Sequence, residues 1–146
     1  MLIGQYHVKI SPKGRTALPK RFRDELGDSL VMTVGYEKSL MLVSSKDWQS
    51  LVEATKDKPF ILNSARDTNR FLLGEASEVE LDEQGRFIIP GYLRDYAKVG
   101  EEVVFLGLSK YVEVWDQKAW EEYQKYLNEN IGEIAEKLGK IDASDR

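Results

Sequence analysis

The sequence predicts an α+β, mainly β, fold in which two copies of one unit close into a pseudo-two-fold, double-repeat barrel of short strands. Flanking helices and a longer carboxy-terminal helix complete it. Three observations lead there. The stretch "SPKGRTALPKRFRDEL" at 11–26 returns as "DEQGRFIIPGYLRDYA" at 82–97, with Gly14-Arg15 on Gly85-Arg86, Pro19 on Pro90, Arg23 on Arg94 and Asp24 on Asp95. Short segments of alternating polar and apolar residues follow one order in both halves, the mark of half-buried strands. Near the end, Trp120, Tyr123, Leu127, Ile131, Ile134 and Leu138 recur at spacings of 3, 4, 4, 3 and 4, a helical stripe.

The elements follow in order. "QYHVKI" puts Tyr6, Val8 and Ile10 on one side of a strand, and Lys13-Gly14 turns it. "RTAL" resumes an extended segment, because Leu18 precedes a proline and is pushed away from helical dihedrals. Pro19 suits the first helical position, and "KRFRDEL" makes a short helix stopped by Gly27. "SLVMTV" and "LMLV" read as strands around the turn "GYEKS", and Ser45 is the expected cap of a helix from Lys46 to about Thr55. Between the copies, "SARDTNRFLLGEA" reads as a connecting helix with Ser64 as its cap and Asp67 at the third following position.

The second copy repeats the plan. "SEVEL" and "RFII" flank Gly85, Pro90 opens a short helix, and "EVVFLG" and "YVEVW" follow as strands before Asp116 caps the long helix. The offset between copies is 71 residues at Gly14/Gly85, 73 at Gly27/Gly100 and 72 at Trp48/Trp120. The expected organisation is one domain over residues 1–146. Its repeats lie at about 5–55 and 76–127, with a connecting helix at about 64–73 and a carboxy-terminal helix at about 117–138. Four short strands alone leave edges exposed, whereas two interleaved sets can close on each other. The final residues, "KIDASDR", are expected to fray. The stripe from Trp120 to Leu138 is expected to pack on the chain's own core or on a neighbouring subunit's helix.

At 146 residues, 42% hydrophobic and 32% charged, the composition is that of a globular protein able to bury a core. The absence of cysteine excludes disulfides, thiolate metal sites and cysteine nucleophiles. No basic leader with a long apolar run and no membrane-spanning stretch is visible, so a cytoplasmic location is the expectation. The net charge of −4 is unevenly spread. Residues 1–27 hold six basic side chains against two acidic ones, leaving +4, so the remainder carries −8. Such asymmetry points to one face for a polyanion.

Enzymatic chemistry is poorly supplied, and no catalytic residue, metal ligand or cofactor is assigned. His7, the only histidine, falls on the polar side of the first strand among Gln5 and Lys9. "SPKGRT" lacks the glycine spacing and ending of a nucleotide-binding loop. The basic constellation is richer. Lys9, Lys13 and Arg15 surround a turn, and Lys20, Arg21 and Arg23 follow on a helix, a set suited to phosphates and, where a ribbon enters a groove, to base edges. Copy two offers Arg86 and Arg94 in the matching places, but Lys13 becomes Gln84 and Lys20 becomes Gly91. The two halves are therefore not expected to contribute equally.

Two ordered copies of a turn ending Gly-Arg followed by an extended pair and Pro, with the junction "LGEASEVELD" and the late "VEVWD", make the chain similar to the MraZ family of bacterial transcriptional regulators. That family sits within the AbrB-like swapped-hairpin superfamily, so the resemblance implies a swapped-hairpin barrel. It further implies a non-enzymatic, cytoplasmic and nucleoid-associated regulator of the division and cell-wall gene cluster. Such a protein would bind double-stranded DNA at direct repeats as a ring of identical subunits, with no small-molecule substrate. The sites implied are Arg15 and Arg86 for the groove, Lys13 beside them, and Lys9, Lys20, Arg21 and Arg23 on phosphates. The family pattern places Asp four residues before each Arg. Asp82 and Arg86 keep it, whereas Ser11 stands before Arg15. Losing the carboxylate either frees Arg15 for DNA or loosens its turn.

The bland reading sets Arg86 against Asp82, and Arg23 and Arg94 against the acids beside them. A rival function is an antitoxin-like interaction module in which the carboxy-terminal helix clasps a partner. An RNA binder is a third reading, disfavoured because few aromatics accompany the basic turn.

Overall fold

The structure is a computed structural model that describes residues 1–55 and 61–144. Eight strands and five helices are defined within them. In the first half these are β1 (Leu2–Lys9), β2 (Arg15–Ala17), α1 (Lys20–Leu26), β3 (Ser29–Val34), β4 (Leu40–Ser44) and α2 (Ser45–Thr55). After α3 (Asn63–Leu72) come β5 (Ser77–Glu80), β6 (Arg86–Ile88), α4 (Gly91–Ala97), β7 (Glu102–Ser109), β8 (Val112–Asp116) and α5 (Gln117–Ser144).

Six strands form one antiparallel sheet in the order β1-β7-β8-β4-β3-β5, and β2 and β6 pair with each other as a separate ribbon. The pairing crosses between halves. β1 lies on β7 and β5 lies on β3, while β4 meets β8 at the centre, Leu40 opposite Val114. The expected closed barrel is not formed. With only three residues each, β2 and β6 satisfy one another instead of bridging β1 to β5, so the sheet stays open with β1 and β5 as its edges. Both edges carry polar or charged exposed side chains, Gln5, His7 and Lys9 on β1 and Glu78 and Glu80 on β5, which discourages edge-to-edge association.

Alternation along the strands decides the layers. One face buries Leu30, Met32, Val34, Leu40, Leu42, Val103, Phe105, Val112 and Val114 under the ribbon, α1 and α4. Phe22 of α1 meets Tyr6 edge-on at 5.0 Å, and Phe87 of the ribbon lies 6.4 Å from Phe105. Each such fully buried side chain contributes about 1.5–3 kcal/mol. On the other face, Val104, Trp115 and Trp120 form a smaller cluster with Leu106, Tyr123 and Leu127 beneath α5. The Trp120 indole donates to Gln5 Oε1 at 3.1 Å, satisfying its one polar atom.

Helix α5 splits the apolar stripe in two. Its first turns pack on the sheet, but Ile131 and Leu138 are 59% and 61% exposed because the helix has run past the sheet. The helix also continues through Ser144 where fraying from Lys140 was expected. Gly139 alone costs only about 1 kcal/mol, too little to stop a helix that contains no proline.

Local signals moved by a residue or so. Pro19 and Pro90 sit just before their helices, at φ −53 and −51 with extended ψ, not inside them. Ser44 Oγ, not Ser45, accepts the Asp47 N–H at 3.1 Å. The expected cap Ser64 lies inside α3, which starts after Leu62 without a side-chain cap, and Asp67 pairs with Arg70 at 2.9 Å. Asp116 does cap α5, accepting the Ala119 N–H at 3.2 Å, and its other oxygen accepts the Gly100 N–H at 2.9 Å.

Candidate nucleic-acid interface

The ribbon determines the geometry of the basic constellation. In its register Arg15 faces Ile88, Thr16 faces Phe87 and Ala17 faces Arg86. Thr16 and Phe87 point into the core, so Arg15, Ala17, Arg86 and Ile88 make the outward face. The two arginines therefore occupy diagonal positions on a two-stranded ribbon, a spacing of about 7–8 Å. Thr16 Oγ1 donates to the Lys9 carbonyl at 3.0 Å, which ties the end of β1 to the ribbon's base.

Two turns lead into the ribbon. In the first, the Gly14 N–H bonds to the Ser11 carbonyl at 2.9 Å and the Arg15 N–H to Ser11 Oγ at 3.0 Å. In the second, the Gly85 N–H bonds to the Asp82 carbonyl at 3.0 Å, and Asp82 Oδ1 accepts the N–H groups of Gln84 at 2.9 Å and Arg86 at 2.8 Å. Asp82 Oδ2 also takes the Arg86 Nε–H at 2.8 Å. The Asp82 carboxyl is held below its ordinary value, first by the Arg86 N–H bond and further by the Arg86 side chain and the Gln84 N–H, against the opposing effect of desolvation. Ser11 supplies the backbone half of this arrangement but no charge. Among the described residues nothing pairs with the Arg15 guanidinium.

Glycine is required in both turns, at φ +90 for Gly14 and +77 for Gly85. It is required again by what lies over them. A Cβ on Gly14 would stand 2.5 Å from Nε of Arg94, and one on Gly85 would stand 2.5 Å from Cδ of Arg23. Each copy's helix thus lays an arginine across the other copy's turn. These arginines are not paired with Asp24 and Asp95 as the bland reading had it; Arg94 donates to the carbonyls of Ile89 and Pro12. This role was missed in the sequence. Its only trace there was the co-occurrence of Gly14 with Arg23 and of Gly85 with Arg94 in both copies.

The remaining basic residues are placed as follows. Lys13 is exposed at the tip of the first turn, Lys9 is exposed at the end of β1, and Lys20 and Arg21 are exposed on the first turn of α1. Gln84 and Gly91 hold the matching places in copy two, both exposed. His7 is exposed on edge strand β1, and among the described residues no group of acidic, histidine or cysteine side chains could hold a metal ion. No helix among them is long and apolar enough to cross a membrane.

Away from the ribbon, a cavity of ≈ 460 Å³ lies between α5 and the outer face of β7 and β8, lined in part by Glu37, Glu113, Trp115 and Tyr123. Burial pushes the Glu113 carboxyl up, and Glu37 adds to this; the Trp115 indole, which donates to it at 3.0 Å, and Ser39 oppose the rise.

A mixed α/β chain with a large antiparallel sheet, a long carboxy-terminal helix and twin glycine-arginine turns has close relatives. The family model described as "MraZ protein, putative antitoxin-like" matches twice, over residues 1–71 and 72–140, and the chain belongs to the MraZ family. It is 43% identical over 138 residues to the transcriptional regulator MraZ of Caldanaerobacter subterraneus subsp. tengcongensis, covering 94% of this chain and 96% of that protein. It is 39% identical to the transcriptional regulator MraZ of Moorella thermoacetica, covering 97% and 99%. A solution structure of a Pyrococcus horikoshii protein aligns over 78% of this chain and 88% of that one, at 18% identity and a TM-score of 0.33.

Proposed function

We propose that this chain is a sequence-specific DNA-binding transcriptional regulator that reads the major groove with the outward face of the β2/β6 ribbon. The observation that carries the reading is the diagonal pair Arg15 and Arg86 on an exposed two-stranded ribbon. A β-ribbon fits the major groove, which is about 12 Å wide, and an arginine fork addresses guanine O6 and N7 together. Lys13 supports the same turn, while Lys9, Lys20 and Arg21 serve phosphates and set the register without reading sequence. The relatives named transcriptional regulators favour this class over an RNA binder.

The finer reading rests on the family resemblance. The chain is one domain of two repeats in a swapped-hairpin arrangement, supported by the twofold match of the family model and by the crossed pairing of β1 with β7 and β5 with β3. Identical subunits form a ring, associated with the nucleoid, that engages direct repeats upstream of the division and cell-wall cluster. Rotationally related subunits meet same-orientation sites in succession. Linked modest patches gain effective concentration, which offsets the net charge of −4. An interaction module using α5 is the second reading, favoured by the exposed Ile131 and Leu138.

Fluorescence anisotropy with DNA from upstream of the chain's own gene, against scrambled DNA across a salt series, tests this. Binding to the native fragment should fall steeply with salt. Arg15→Ala should cost about 1–3 kcal/mol and the sequence preference with it. Equal, weak binding of both proteins to both DNAs would sink the proposal and leave capture by α5 to be examined.

A further inference from the structure

The two turns are held in different ways. The second ties itself, because one carboxylate of Asp82 bonds two backbone N–H groups and the Arg86 side chain. The first has only a hydroxyl in that place, bonded to the Arg15 N–H. In exchange it has an outside brace. Arg94 of the second copy lies over Gly14, donates from Nε to the Ile89 carbonyl at 2.9 Å and from Nη1 to the Pro12 carbonyl at 3.3 Å. Ile89 donates its N–H to the Gly14 carbonyl at 2.9 Å, as Leu18 does to the Gly85 carbonyl at 2.9 Å, so this bond is common to both turns and the Arg94 bonds are what sets the first apart. Arg23 covers Gly85 in the mirrored position, but its Nε is buried with no acceptor among the described residues. The turn with fewer bonds of its own is thus the one whose covering arginine donates to two backbone carbonyls.

We infer that Arg94 is a positioning residue for the first turn, doing from the other half of the chain what Asp82 does inside the second, and so leaving the Arg15 charge unpaired for nucleic acid. The inference rests on the DNA-binding reading of the ribbon. A carboxylate that orients an arginine also neutralises it and competes with a base edge or phosphate for the same N–H groups. A brace on the Pro12 and Ile89 carbonyls fixes the backbone without touching the charge of Arg15. Of the two arginines, Arg15 is therefore the stronger DNA contact, and Arg94 decides how well it is aimed.

Two measurements on the full chain test this. Without DNA, amide hydrogen exchange at Gly14 and Arg15 should speed up about tenfold in Arg94→Ala, the loss of one or two net hydrogen bonds, while Gly85 and Arg86 change little. Arg23→Ala should speed exchange at neither turn, since the second is held by Asp82 and Arg23 Nε has no acceptor among the described residues. Ser11→Asp added to Arg94→Ala should restore protection at Arg15, since the carboxylate then holds the turn from within. If Arg94→Ala does not fold, Arg94→Lys serves, because a single Nζ cannot occupy the separate Nε and Nη1 positions from which the two bonds are made and should loosen the first turn alone. With DNA, Arg94→Ala should weaken binding in the wild-type background and add little in the Arg15→Ala background, whereas Arg23→Ala stays additive with Arg15→Ala.

Exchange that rises equally in both turns, or additivity of Arg94→Ala with Arg15→Ala, would overturn the inference. Faster exchange at the first turn alone in Arg94→Ala, together with DNA binding indifferent to Arg15→Ala, would keep the brace and remove the DNA reading, so the two failures are distinguishable.

Discussion

Arg94 and Gly14, 80 residues apart in the chain, are in contact through a space that only a glycine leaves open: a Cβ at position 14 would come 2.5 Å from the Arg94 Nε. The mirrored contact of Arg23 with Gly85 makes the two halves mutually dependent at the ribbon's ends.

Gly14→Ala and Gly85→Ala are accordingly expected to destabilise the fold by about 1–3 kcal/mol each, from the positive φ together with the displaced guanidinium. Urea denaturation read by tryptophan fluorescence checks this. A change within 0.5 kcal/mol at both sites, roughly the size of an ordinary surface substitution, would show that neither turn is constrained.

The turns should differ in their response to acid. The Asp82 carboxyl is depressed in the fold, so its contribution is full above the ordinary carboxylate value of 3.8 and is lost as pH falls through the lower folded value. The Arg86 and Gln84 amide resonances should therefore titrate in that acid window, and Asp82→Asn should abolish the step. The Arg15 amide, bonded to a hydroxyl, should show no such step.

Glu113 has the opposite sign. Its carboxyl is raised by burial, so the protonated form is favoured by the fold, and stability declines as pH rises from the unfolded value of 4.5 through the raised folded value. Glu113→Gln should remove this decline and leave a protein at least as stable near neutrality, judged by melting temperature across pH.

The two halves of the α5 stripe should separate in a stability assay. Trp120, buried against Trp115 with ring centroids 5.3 Å apart, should cost about 3–5 kcal/mol on replacement by alanine. Leu138→Ala, at an exposed position, should stay within about 0.5 kcal/mol in the isolated subunit.

Much of the local structure was legible because it is set by neighbours in the chain. Alternation in "SLVMTV" and "EVVFLG" marked β3 and β7, Gly27 stopped α1, and Asp116 capped α5. Caps and helix starts slipped by one or two residues: Ser44 takes the cap expected of its neighbour Ser45, Pro19 lies just outside α1, and α3 starts after Leu62 with no side-chain cap, leaving Ser64 inside it. The barrel was the larger miss. Short strands permit closure, but whether β2 and β6 join the sheet or each other depends on partners 71 residues away.

By itself the sequence determined the repeated glycine-arginine turns, the strands and helices between them, the basic bias of residues 1–27 and the absence of cysteine chemistry. All of these are properties of side-chain type and short spacing. Only the tertiary structure decided that the turns enter one ribbon, that Arg15 and Arg86 stand diagonally on its outer face, and that Arg94 and Arg23 cross to the opposite turns. The physical reason is that antiparallel pairing between distant strands fixes register through the burial of Thr16 and Phe87. That register, which no local window contains, chooses which charges face solvent and which carbonyls an arginine can reach.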